Sequence, residues 1–379
     1  MLKQPSILLA FDWYDRRLFE GIIKYASQQD WHISPYAFSD RNIPYGWRGD
    51  GAITCYGKVF AEFINSLNVP MVDISVLKTP RATPKIVTDN REVGGMAAEH
   101  FLERGFKNFA YYSWQAIPVN LLRRRYFFDA LRIAGVPAKS IYEIRQSPAR
   151  IMRNWPSHQD YILKQIEKLP RPLAVFTGQD NLAATLVEIC TRHGIHVPEE
   201  IAVLGVDNIE ILCDCQIVPL SSIDTRLSAL GYAAAERLHQ LIDGKIENTA
   251  EDILVHPGSI ICRRSTDVLA IPHAAVARAV RFIKDNISAP VTLEDIAAHA
   301  GMSKRGIEKA FINHLGRTPA AELLRCRLDL AKKMLADGNA KIEYIARCCG
   351  YSNSSNLSHA LRRDTGLSPR EYRTKFNRG

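Results

Sequence analysis

No apolar run in this sequence approaches the roughly 18 residues that a membrane-spanning helix needs. The opening stretch, MLKQPSILLAFDWYD, has one lysine and a short apolar run that Asp12 ends. That run is too short for the core of a signal peptide and suits a first buried strand. Both absences point to a cytoplasmic protein with no membrane partner. GxGxxG, P-loop, HExxH and GxSxG patterns are also missing, which removes the best-marked routes to nucleotide, zinc-hydrolase and serine-hydrolase chemistry. The enzymatic alternative is a cleft that hydrolyses or oxidises a sugar, with strand-end carboxylates suited to glycoside chemistry, and turnover of a bound sugar separates it from a sensor. No catalytic residue, metal or cofactor is expected.

Cysteine is sparse and scattered. Cys55, Cys190, Cys213, Cys215, Cys262, Cys326, Cys348 and Cys349 form no CxxC pair and no His/Cys cluster at zinc spacing. Reduced and mostly buried thiols are the expectation in a reducing compartment. Cys213 and Cys215 are spaced too tightly for a zinc ribbon, so a thiol or metal sensor stays a minor alternative.

Net charge is absent from most of the chain. Residues 1–272 hold 30 Lys/Arg and 30 Asp/Glu, whereas residues 273–379 hold 19 and 10, which is the whole excess of +9. A neutral large part joined to a basic small part suggests a sensor or enzyme carrying a polyanion-binding module.

The basic part contains a repeat. DIAAHAGMSKRGIEKAFINHLGRTP (295–319) aligns with YIARCCGYSNSSNLSHALRRDTGLSP (344–369). Ile296-Ala297 and Gly301 recur as Ile345-Ala346 and Gly350; Ala310, Gly316 and Pro319 recur as Ala360, Gly366 and Pro369. Each copy has the logic of a helix-turn-helix. An Ile-Ala pair lets two helices pack closely, and a glycine tolerates the positive φ of the turn. Ser303, or a serine between Ser352 and Ser355, can cap the second helix. That helix buries Ile307/Phe311 or Leu357/Leu361 at i, i+4 spacing. It exposes Lys304, Arg305, Glu308 and Lys309 in the first copy, and Ser354, Ser355, Asn356, Ser358 and His359 in the second. These groups suit base edges in a major groove, and Arg362 and Arg363 suit phosphates. A plain solvated helix face is the alternative, and the repetition and localised charge count against it. Cys348 and Cys349 then end a positioning helix, with at least one facing the core.

Over residues 273 to 375 the chain resembles the AraC/XylS-family DNA-binding domain. The residues that carry the resemblance are VTLEDIAAHAGMSKRGIEKAFINHLGRTPAAELLRCRLDLAKKML and KIEYIARCCGYSNSSNLSHALRRDTGLSPREYR. The resemblance implies an all-α double helix-turn-helix domain at 276–379, with units at about 292–316 and 342–366. A long helix, about Pro319 to Leu335, joins them, and the recognition helices face successive major grooves of double-stranded promoter DNA. Leu357 and Leu361 stand where the family often has aromatic residues.

From residue 5 to about 262, short apolar strands alternate with amphipathic helices. SILLAF, GAIT, VPMVDI, KIVTD, NFAYYS, LAVFTG and AVLGVD read as strands; RRLFEGIIKYASQQ, REVGGMAAEHFLERG and DNLAATLVEICTRHG read as helices. Alternation of this kind predicts parallel sheets covered by helices, with ligand sites at the strand C-terminal ends. Asp12, Asp89, Asp180 and Asp207 fall at such ends. Each can be a helix N-cap, but together they suit a polyhydroxylated ligand, because carboxylates accept from neighbouring hydroxyls. Trp13 and Tyr14 can stack on a sugar ring or belong to the core.

VTDNREVGGMAAEHFLERGFKNFAYYS, AVFTGQDNLAATLVEICTRHGIHVPEEIAVLGVDN and SSIDTRLSALGYAAAERLHQLIDG resemble the periplasmic-binding-protein-like sensor of LacI-family regulators. That resemblance implies an α/β two-lobe sensor at 1–267, with the chain crossing between lobes three times. The matching ligand positions are Asp89, Asp180, Asp207 and an arginine ahead of YFFDAL, taken as Arg124 with Arg123 as the alternative. Thr225 stands where a glutamine is frequent. RRSTDVLAIPHAAVARAV then carries the linker, set at 268–275, and the first tail helix. No helix-turn-helix is expected ahead of the sensor. This order of parts is similar to that of xylose-operon activators, which implies xylose or a related pentose as small sugar effector. It also implies a homodimer and, for an activator, contact with RNA polymerase.

Overall fold

The structure, a computed structural model, describes residues 4–11, 13–34, 43–113, 117–247, 251–268, 270–271, 273–336, 338 and 340–376. The chain forms two compact units, Met1–Asp267 and Val268–Gly379. In the first unit, short apolar runs become strands and the amphipathic stretches between them become covering helices.

Its first lobe holds β1 (Ser6–Ala10), α1 (Arg16–Gln28), β2 (His32–Ser34), β3 (Gly51–Thr54), α2 (Ala61–Ser66), β4 (Met71–Asp73) and β5 (Ile86–Thr88). The second lobe follows with α3 (Asn90–Glu103), β6 (Phe109–Tyr112), α4 (Pro118–Ile133), β7 (Ile141–Ile144) and α5 (Ala149–Met152). It continues with α6 (Trp155–Ile166), β8 (Leu173–Thr177), α7 (Asp180–Arg192), β9 (Ile201–Val206), α8 (Glu210–Asp214) and β10 (Ser221–Ile223). The chain returns to the first lobe for α9 (Leu227–Ile242) and β11 (Ile253–Val255), then crosses back for β12 (Ile260–Ile261). It thus crosses between the lobes three times.

The first sheet has the order β2-β1-β3-β4, all parallel, and an Asp73–Lys85 bridge carries it on to the parallel pair β5 and β11. The second has the order β12-β10-β9-β8-β6-β7, parallel except for β12 at its edge. Ile7–Ala10, Leu173–Phe176 and Ile201–Leu204 are wholly buried, as expected of parallel strands covered on both faces. Two glycines set how closely α1 and α9 pack over the first sheet. A Cβ on Gly21 would lie 2.0 Å from Ser228 O, and one on Gly231 would lie 2.2 Å from Leu18 O, so the two backbones touch.

The stretch RRSTD lies inside the sensor, ahead of the expected linker. Arg264–Thr266 form a 3₁₀ turn inside the second lobe, with Ser265 and Thr266 fully buried. Ser265 Oγ donates to Val203 O at 2.6 Å, and Thr266 Oγ1 donates to Ser221 Oγ at 2.8 Å. Polar side chains that satisfy one another inside a lobe anchor a segment rather than free it. The expected linker, 268–275, also runs into regular structure, because α10 (Ala274–Asp285) starts within it and Ile271 joins the core of the second unit.

Among its described residues the regular elements of the second unit are all helices: α10, α11 (Leu293–Ala300), α12 (Lys304–Leu315), α13 (Pro319–Ala336), α14 (Ile342–Cys348), α15 (Ser354–Thr365) and α16 (Pro369–Phe376). One core gathers Ile296, Ile307 and Phe311, and a second gathers Ile345, Leu357 and Leu361, with α13 contributing to both. Gly301 and Gly350 make the two turns at φ 68° and 72°. A Cβ on Gly350 would also meet Ile287 O at 2.3 Å. Arg327 of α13 donates to Ile287 O and Ala289 O at 2.9 and 2.8 Å, so that glycine sits where the two helical halves are tied together.

Candidate ligand cleft and nucleic-acid interface

The C-terminal strand ends of the sensor face the crossovers, and α4 supplies the central cation there. Asn120, Arg123, Phe127 and Leu131 form the buried stripe of α4 at spacings of three and four residues. Arg123 is therefore turned inward, with its side chain only 6% exposed. Its Nε donates to Asn90 Oδ1 at 3.1 Å, Nη1 to Gly178 O at 2.7 Å and Nη2 to Asp207 Oδ1 at 3.2 Å. Arg124, the preferred ligand arginine from the sequence, lies off that stripe and pairs with Glu143 at 2.6 Å on the outer side of the lobe. Helical phase separates the two neighbours, and the apolar spacing of α4 was the signal that could have told them apart.

Two amides at the same strand ends escape sequence reasoning. Asn120 is fully buried, packs against Gly178, and neither Oδ1 nor Nδ2 finds a partner among the described residues. Gln179 Oε1 is in the same condition. Unpaired buried amides are costly, so their presence beside Arg123 and Asp207 marks a place suited to a hydrogen-bonding ligand. Thr225 is also close, donating from Oγ1 to Asp207 Oδ1 at 3.3 Å.

Asp207 and Asp180 have different tasks. The Asp207 side chain is 18% exposed and heads a turn in which it and Asn208 have φ 99° and 46°. Asp180 is wholly buried behind that turn. Its carboxylate accepts from Ser222 Oγ at 2.6 Å, Ile209 N at 2.8 Å and Cys213 Sγ at 3.5 Å. Burial pushes the Asp180 carboxyl up to about 7, with the nearby Asp207 charge adding to the rise. Asp180 thus shapes the loop that presents Asp207 and is shielded from the cleft itself.

Asp12 lies outside the described residues. Trp13 is 40% exposed and donates from Nε1 to Cys55 Sγ at 3.3 Å, which leaves ring area open. Tyr14 is 66% exposed and stacks on Phe19 at 4.9 Å. Asp89 caps α3, accepting from Arg91 N and Glu92 N at 2.9 and 3.1 Å. Glu92 and His256 bond at 2.7 Å and join the first crossover to the third. These two and Asp89 hold their ligand atoms within 4.8 Å of one another, a donor set that a divalent cation could use.

A further contact was invisible to the sequence. Arg17, at the start of α1, is held by Asp15 at 2.8 Å and donates from Nη1 to the main-chain oxygens of Asp207 and Asn208, at 2.5 and 2.8 Å. One guanidinium of the first lobe therefore grips the turn of the second.

In the tail, α12 exposes Lys304, Arg305, Glu308 and Lys309, and Lys304 pairs with Glu294. Ser303 caps α12, accepting from Gly306 N at 3.1 Å. In the second copy the cap is Asn353, which accepts from Asn356 N at 2.9 Å, where a serine was expected. Asparagine ranks beside serine as a cap, so the substitution changes no geometry. Ser355, Asn356, His359, Arg362 and Arg363 are exposed on α15, whereas Ser354 and Ser358 are partly buried. Ser358 Oγ donates to Ser354 O at 2.8 Å, which binds it to its own helix. Cys349 is buried in the second core and Cys348 is half-buried.

Comparison with known proteins matches residues 98–266 to a periplasmic binding protein-like domain and residues 296–375 to a helix-turn-helix domain. The Xylose operon regulatory protein of Escherichia coli is 28% identical, covering 98% of this chain and 97% of its own length. That of Haemophilus influenzae is 26% identical, covering 95% of each. A solved structure described as the xylose-binding transcription activator xylR aligns with a TM-score of 0.73 at 27% identity, covering 99% of both chains. Among the described residues no helix is long and apolar enough to cross a membrane.

Proposed function

We propose, from the premise that this chain is a sugar-responsive, DNA-binding transcription regulator joining a periplasmic-binding-protein-like sensor to an AraC-type tail, that its effector is xylose or a related pentose held between the sensor lobes. The observation that carries the sugar reading is the Arg123–Asp207 pair at the strand ends, with the unpartnered Asn120 amide beside it. A guanidinium donates, a carboxylate accepts and an amide does both, which matches the alternating demands of adjacent ring hydroxyls. The partly open Trp13 ring offers a surface for the apolar face of the sugar.

Exposed groups on α12 and α15 then read base edges, among them Arg305, Lys309, Asn356 and His359, while Arg362 and Arg363 hold phosphates. Two chains act together on paired half-sites. Where the regulator activates transcription, RNA polymerase is a third partner. The protein works in the cytoplasm and turns over no substrate. Sugar shifts the tail's affinity for DNA only as far as its own affinity differs between the two states of the sensor.

Isothermal calorimetry of the purified chain against a panel of pentoses tests the effector. Saturable binding of xylose or a close relative, with the sugar recovered unchanged, supports it. Binding of no pentose contradicts it, and conversion of the sugar would favour an enzyme.

A further inference from the structure

Asn208 is tied through its N–H, its carbonyl and its side-chain oxygen to three different parts of the sensor. Its N–H donates to Ser222 Oγ of β10 at 2.9 Å, and its carbonyl accepts from Arg17 of the opposite lobe at 2.8 Å. Its side-chain Oδ1 accepts from Arg263 Nη1 at 3.0 Å. Arg263 lies past β12 on the last stretch of the sensor, directly before the chain continues into the helical unit. That stretch is fastened at several points. Arg263 Nε donates to Asp214 at 2.6 Å, its N–H donates to Ser221 Oγ at 2.8 Å, and Ser221 Oγ donates to Arg263 O at 2.9 Å.

Geometry explains why the residue is asparagine. With φ at 46° the position is in the left-handed region, which asparagine tolerates better than most side chains. A glycine would keep the turn and lose the Arg263 contact. Asparagine keeps both.

We infer that Asn208 is the relay by which the state of the sugar cleft reaches the segment leading to the DNA-binding unit. The inference rests on the sugar-sensor reading above and concerns how that site is coupled to its output. When the lobes part, Arg17 loses the carbonyls of Asp207 and Asn208. The turn relaxes, and Arg263 loses its Asn208 acceptor while keeping those on Asp214 and Leu220. When they close, the same turn holds Arg263 and with it the exit segment. Asn208 acts through Arg263 and is a positioning residue, with no contact to the sugar required of it.

The test compares Asn208→Gly and Asn208→Asp with the unaltered full-length chain, measuring xylose affinity by calorimetry and promoter-DNA affinity by anisotropy with and without xylose. Asn208→Gly should bind xylose within about two-fold of the parent, yet lose at least nine-tenths of the xylose-dependent change in DNA affinity. Asn208→Asp keeps an acceptor for Arg263 and should retain that change. A full response in Asn208→Gly overturns the relay, as does loss of response in both variants. If the parent itself shows no response to xylose, the sensor reading fails instead, so the two failures are distinguishable.

Discussion

Arg123 Nη2 lies 3.2 Å from Asp207 Oδ1, joining the inner face of α4 to the turn after β9. Its neighbour Arg124 pairs with Glu143 on the other side of the same helix. Arg123→Ala should therefore weaken sugar binding by about 1.5–3 kcal/mol, the usual range for a hydrogen bond to a charged group. Arg124→Ala should change it by no more than about 0.5 kcal/mol, as an exposed pair does. Calorimetry on both variants checks this, and the reverse ranking would move the cleft to the outer face of α4.

Asp180 makes stability depend on pH. Its carboxyl is raised to about 7 by burial, whereas an unfolded aspartate titrates near about 3.9. Between those values the folded state holds the extra proton, so the Asp180 contribution falls as pH rises from about 4 to about 7 and then levels off. Urea midpoints at about pH 5 and about pH 8, compared between the parent and Asp180→Asn, read that contribution. The variant should show a smaller fall. An identical pH dependence in both proteins would mean that Asp180 titrates normally.

Close packing of α1 on α9 sets a third expectation. Gly21→Ala places a methyl 2.0 Å from Ser228 O and should cost about 1–3 kcal/mol, because two helices must separate. Gly95→Ala is the control: nothing lies within 4 Å of the added carbon, so helix propensity alone should stabilise the chain by about 0.5–1 kcal/mol. Chemical denaturation distinguishes them, and equal effects would show that α1 and α9 are not in backbone contact.

Much of this architecture is legible in the amino-acid order. Strands β1, β3, β6, β8 and β9 announce themselves as apolar runs because both of their faces are covered. Less legible is β10, Ser221–Ile223, since its serines are buried as connectors, Ser222 to Asp180 and Ser221 to Arg263. The strands β2, β7, β11 and β12 also pass unnoticed, each short and at a sheet edge, where fewer neighbours impose an apolar pattern. In the tail the repetition of Ile-Ala, Gly and Pro exposes both helix-turn-helix units. The cleft is the hardest part to read, because Arg17 meets Asn208 across 191 residues and no local pattern encodes such a contact.

Exposed residues of α15 should divide their work. Asn356→Ala should relax sequence preference at one or two base pairs, by about 1–3 kcal/mol of discrimination. Arg363→Ala should weaken binding to all sequences about equally and lower the salt slope by about 1. Anisotropy titrations on promoter and scrambled DNA measure both. Retained discrimination in Asn356→Ala would assign base reading to another residue of α15.

The affinity of the full-length chain for its promoter DNA, measured by anisotropy with and without saturating xylose, tests the central claim most directly. A coupling of at least about 1.4 kcal/mol, a ten-fold difference in affinity, is expected between the two conditions. Equal affinities, with xylose demonstrably bound, would contradict the sensor reading, since a ligand that prefers neither state shifts nothing.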